Sequence, residues 1–223
     1  MTAPATNDSA ISALRLARGF SCLFWSMPAM AAAHAIALGV LLPTRTTALL
    51  MAGSCAPLAV GLGMLRAAGA AESGWRARTT RVGLLALAAA GLGPFVAWWI
   101  QAPGQPYFAV NAGLHYVVLI ALLVGANRLA GAAARGLDDL PLRREALAGL
   151  GMVLWLSACT VGALAWLFHR AGVLEAGAAT VLARLAELPA EARALFLLPY
   201  AMTAYVAWRT KETAFRRAAG SGA

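Results

Sequence analysis

Apolar residues in this chain run in six long stretches, without the polar face every third or fourth position that a half-buried soluble helix would show. The stretches are Gly19–Leu42, Thr47–Leu65, Val82–Ile100, Phe108–Ala126, Leu147–Phe168 and Ala192–Trp208. An α-helix needs about 17–25 mainly apolar residues to cross roughly 30 Å of hydrocarbon, and each stretch has that length. The pattern predicts an all-α integral membrane protein built as a six-transmembrane-helix bundle. Residues 19–210 form its single domain, preceded by a polar segment 1–18 and followed by a basic tail 211–223.

The polar punctuation adds detail. Residues 1–8 read as disordered, and Ile11, Leu14 and Leu16 with Arg15 and Arg18 read as a short interfacial helix leading into the first span. Pro28 sits inside that span as a kink candidate, and Pro43 ends it. Trp75, in the loop Ala67–Arg81, reads as an interfacial anchor, and Trp98 and Trp99 close the third span at the headgroup level. In the loop Leu129–Glu145, Asp138 and Asp139 read as a solvated cap and Pro141 as a helix start. Val181, Leu182, Leu185 and Leu188 recur at helical spacing, which predicts a short amphipathic external helix over Gly172–Leu188, between spans five and six.

Charge orients the bundle. Of 18 Lys and Arg residues, fourteen fall on one side: Arg15, Arg18, Arg66, Arg76, Arg78, Arg81, Arg128, Arg135, Arg143, Arg144, Arg209, Lys211, Arg216 and Arg217. Arg45, Arg170, Arg184 and Arg193 fall on the other. Basic residues accumulate on the cytoplasmic side of short loops, so both termini are expected in the cytoplasm of a bacterial inner-membrane protein. An odd number of spans would destroy the asymmetry. Mean hydropathy of +0.71 and 61% apolar residues agree. The net charge of +9 does not point to nucleic acid, because the arginines sit at span ends and anionic headgroups account for them. Cys22, Cys55 and Cys159 all lie within spans, so no disulfide framework is indicated.

Apart from Arg193, at the outer end of the last span, the spans carry no Asp, Glu, Lys or Arg, which disfavours proton- or sodium-coupled pumping, although histidine or backbone carbonyls can serve. What they do carry is neutral and polar. His34 and His115 lie at nearly equal depth, Asn111 is one turn from His115, and Tyr200 and Thr203 lie near the centre of the last span. Ser54, Cys55, Ser157, Cys159 and Thr160 lie near span centres as well. Unpartnered polar groups are costly in hydrocarbon, so one inward-facing cluster is expected. His34, Asn111, His115, Tyr200 and Thr203 are its ligand-binding candidates. Two facing imidazoles at one depth are also the pattern for haem b, with His34 and His115 as axial ligands; structural packing is the plainer account. A Cys–Arg–His transpeptidase centre is excluded by topology, since Arg128 falls inside, His169 outside and Cys55 in mid-membrane. Gly53-Ser54-Cys55-Ala56 is not a rhomboid serine motif.

Short loops and many small span residues, Gly61, Gly93, Gly149 and Ala29 to Ala33 among them, suit close helix contacts. The leading expectation is a non-catalytic subunit or accessory component of a membrane complex, with a membrane-protein partner or a homo-oligomer in the bilayer. The alternatives are a small-solute binding or transport protein with an outer-leaflet pocket at His34, Asn111 and His115, and a haem- or quinone-binding electron-transfer subunit.

Overall fold

The computed structural model describes residues 4–39, 42–68, 73–170 and 195–220. These form helices α1 (Pro4–Gly39), α2 (Thr44–Gly53), α3 (Ala56–Ala68), α4 (Trp75–Gln101), α5 (Pro106–Gly136), α6 (Leu140–Arg170) and α7 (Leu198–Gly220), with no strand among the described residues. Five stretches are long and apolar enough to cross a membrane: Ala10–Ala37, Thr44–Ala68, Trp75–Gln101, Pro106–Gly136 and Leu140–Gly162. The chain is thus an all-helical membrane protein. The last expected span, Ala192–Trp208, begins outside the described residues; in α7 its apolar part is followed directly by Arg209, Lys211, Glu212, Arg216 and Arg217.

Several boundaries differ from expectation. There is no separate interfacial helix at the amino end, because α1 runs unbroken from Pro4 through Pro28. The segment taken as a basic tail continues α7 to Gly220. The expected loop Leu129–Glu145 shrinks to Leu137–Asp139. There Asp138 takes a left-handed φ of 55°, and the Asp139 N–H donates to the Ala134 carbonyl at 3.0 Å, a Schellman-type closure. The Asp139 side chain then accepts from the Leu142 N–H at 2.9 Å as the N-cap of α6. The predicted external helix Gly172–Leu188 lies outside the described residues.

The helices pack as a ring. α1 lies against α3 and α7, α4 against α2, α3 and α5, and α6 against α5 and α7; α7 also touches α5. Close approach depends on missing side chains. A Cβ on Gly61 would come within 2.7 Å of Cys22 Cβ and 2.8 Å of the Gly19 carbonyl, so α1 and α3 cross backbone to backbone. Trp75 is buried in the core, not at an interface. Its Nε1–H donates to the Leu65 carbonyl at 2.7 Å, tying α4 to the end of α3, and the Ser12 hydroxyl donates to the Ala68 carbonyl beside it.

The second expected span is interrupted. Pro57 has no N–H to donate to Gly53 four residues earlier, and the chain breaks between α2 and α3 at Ser54 and Cys55. Ser54 N–H still reaches the Leu50 carbonyl at 3.0 Å, and Cys55 N–H bonds Ala52 only three residues back, at 3.3 Å. The interruption places Cys55 in the core, its Sγ 3.9 Å from Met30 Sδ of α1.

Candidate functional site

α1 and α5 bring His34 and His115 into direct contact, Nε2 to Nε2, at 3.0 Å. The ring centroids are 5.2 Å apart with an interplanar angle of 24°. That separation is the nitrogen contact plus two ring radii, so the imidazoles meet edge to edge and nearly coplanar. The protons follow from the partners. His34 Nδ1 lies 2.7 Å from the Met30 carbonyl, and a carbonyl only accepts, so Nδ1–H donates there. Nε2 of a neutral His34 is then an acceptor, and His115 Nε2–H must donate to it. His115 Nδ1 is left as a bare lone pair, buried and without a hydrogen-bond partner among the described residues.

Tyr200 of α7 is also buried, and its hydroxyl oxygen stands 3.4 Å from His34 Nδ1 as a second, longer acceptor. Met30 links this triad to the helix interruption, since its carbonyl holds His34 and its sulfur touches Cys55. Polar groups from α1, α5 and α7 therefore converge beside the α2–α3 break.

The other candidates go elsewhere. Asn111 Nδ2–H donates to its own helix, to the Tyr107 carbonyl at 2.8 Å, and no hydrogen bond joins it to His115. Ser54, Ser157 and Thr160 each donate to a carbonyl three or four residues back, as hydroxyls in membrane helices commonly do, and Cys159 is exposed. Thr203 belongs to a second, separate contact. Its hydroxyl donates to the Pro199 carbonyl at 2.8 Å and accepts from Asn127 Nδ2–H at 2.9 Å, which also reaches the Leu123 carbonyl at 2.9 Å. Asn127 lies one residue past the expected fourth span, so its place in the sequence does not include it among the polar groups inside the spans.

Two imidazoles on opposite faces of a haem iron need nitrogens about 4 Å apart, given metal–nitrogen bonds of ~2.0 Å. At 3.0 Å, edge to edge, His34 and His115 leave no gap for a porphyrin plane, so the residues as placed do not fit haem. No group of three His, Cys, Asp or Glu converges among the described residues.

Comparison with protein-family models, with curated proteins and with solved structures gave no match.

Proposed function

We propose that this is a six-span bacterial inner-membrane protein, with both termini in the cytoplasm, that binds and passes a small solute at the His34–His115–Tyr200 cluster. One observation carries the reading: the buried contact between two histidines of different helices that leaves His115 Nδ1 open. Energetics favour function over packing here. A hydrogen bond between membrane helices contributes on average ~0.6 kcal/mol and at most ~1.7, whereas an unsatisfied buried acceptor costs about 1–3 kcal/mol. The pair returns no net stability, and ionisable groups kept at such depth usually mark a ligand path. The interrupted α2–α3 helix beside it supports the same reading, because broken helices are where transporters expose backbone to a ligand.

The arginine asymmetry supports the orientation, and the apolar first half of α7 supports a sixth crossing. The accessory-subunit reading draws on the exposed apolar face of α6, with Leu147, Leu154, Trp155 and Val161. Lipid requires the same surface, so that face does not favour a partner.

The test is ligand-induced stabilisation of the full chain in lipid nanodiscs against a panel of small neutral and cationic solutes. A solute at a hundred times its Kd adds about 2.7 kcal/mol to the folded state. His115→Leu is expected to keep the unliganded Tm and lose the response. A response equal in wild type and variant sinks this site.

A further inference from the structure

We propose that the His34–His115 pair is a binding site for one proton, which makes a proton the co-substrate of whatever solute passes the cluster. The inference extends the solute reading but uses only the hydrogen-bond inventory of the pair.

Four ring nitrogens form a chain that ends on a carbonyl at one side and on an unpartnered nitrogen at the other. At one end the Met30 carbonyl accepts from His34 Nδ1–H. At the centre the two Nε2 atoms share one hydrogen. At the other end stands His115 Nδ1, buried and without a hydrogen-bond partner among the described residues; the Ala89 carbonyl of α4, in the neighbourhood of His115, is the acceptor we assign to it once it carries a hydrogen. Two neutral imidazoles bring two N–H hydrogens to this chain, and both are used before His115 Nδ1 is reached. Hence that nitrogen lacks a partner while a second acceptor stands nearby. A third hydrogen closes the chain: His115 Nδ1–H donates to Ala89, Nε2–H donates to His34, and His34 Nδ1–H donates to Met30.

The step is the addition of one proton from water to the His115 Nδ1 lone pair, raising the charge of the pair by one. If the central hydrogen then shifts to His34 Nε2, the imidazolium moves to His34 and His115 becomes neutral. The charge is thereby shared between two rings, and the central bond becomes charge-assisted and stronger.

Groups facing the pair neither neutralise this charge nor compete for it as acids. α7 brings the Tyr200 hydroxyl to His34, while Cys55 of the α2–α3 junction, against Met30, and Tyr116 of α5 stand near Tyr200. α4 contributes no titratable side chain in its apolar part, and in α6 Arg143, Arg144 and Glu145 stand at its first turns and the exposed Cys159 in its apolar part. A charge balanced by carbonyl dipoles alone is held loosely, which suits a proton that is loaded and released over one that stays.

The experiment is a pH titration by NMR of the full chain, 15N-labelled at histidine, in lipid nanodiscs over roughly pH 8 to pH 4, a range that brackets an ordinary imidazole. His34→Gln and His115→Gln assign the signals against His169. The expected result is one shared transition: His34 and His115 move together, with one proton taken up by the pair, and either variant shifts the remaining histidine by at least about one pH unit. Two rings that stay neutral throughout, or that titrate independently with two protons, overturn the proposal. The wild-type titration decides this even if the variants do not fold. Solute-induced stabilisation without proton uptake removes the proton and leaves the solute reading standing; proton uptake with no solute response does the reverse.

Discussion

Gly149 lacks a side chain at the one point where α6 meets the amide of Asn127. A Cβ there would lie 2.5 Å from Asn127 Oδ1, an oxygen with no hydrogen-bond partner among the described residues. Gly149→Ala is therefore expected to push Asn127 off Thr203 and to destabilise the protein by about 1–3 kcal/mol, as overpacking does; a thermal melt in detergent checks it. Trp75→Phe keeps one aromatic ring but removes the fused pyrrole and the N–H that the Leu65 carbonyl accepts, and is expected to cost about 1–3 kcal/mol. An unchanged Tm would mean that the indole bond does not hold α4 to α3. His34 and His115 were legible in the sequence because depth follows from position along a span. Asn127 and Thr203 were not legible as a pair, because they meet only through the azimuths at which α5 and α7 face each other.

Pro57 divides an otherwise continuous apolar segment. In α3 it occupies the second helical position, where proline is tolerated, so Pro57→Ala should change stability little. It should restore the bond to the Gly53 carbonyl and slow hydrogen exchange across residues 53–57. The solute response should fall with it, since Cys55 and Met30 would no longer meet as they do. Fast exchange persisting in the variant would show that packing, not proline, breaks the helix. The sequence shows Pro57 plainly, yet one proline in a long apolar run reads equally as a kink such as Pro28, which α1 absorbs without a break. Asp138 and Asp139 were read as a cap from composition and serve as one, because turn chemistry is local.

Fourteen of the 18 basic residues fall toward one end of the bundle by their place along the helices. There the Arg209 guanidinium pairs with Glu145 at 3.0 Å, and the Thr213 hydroxyl donates to Asp139 at 3.2 Å, docking the polar half of α7 on the start of α6. The opposite end holds the α4–α5 turn and the Thr44–Gln101 contact. Single cysteines introduced into a chain lacking Cys22, Cys55 and Cys159 test the orientation in intact cells. Gln105→Cys is expected to react with a membrane-impermeant maleimide, and Asp138→Cys only after lysis; the reverse pattern overturns the assignment.

Hydropathy, helix length and arginine placement are properties of single segments meeting a bilayer. For that reason the all-helical membrane class and the approximate place of each apolar helix could be read directly from residue order. The contact between His34 and His115, the separate Asn127–Thr203 pair and the burial of Trp75 depend on which face each helix turns to its neighbours. That choice is made by close packing at glycines such as Gly19, Gly61 and Gly149, where a few tenths of an ångström decide what fits, and only the folded bundle specifies it.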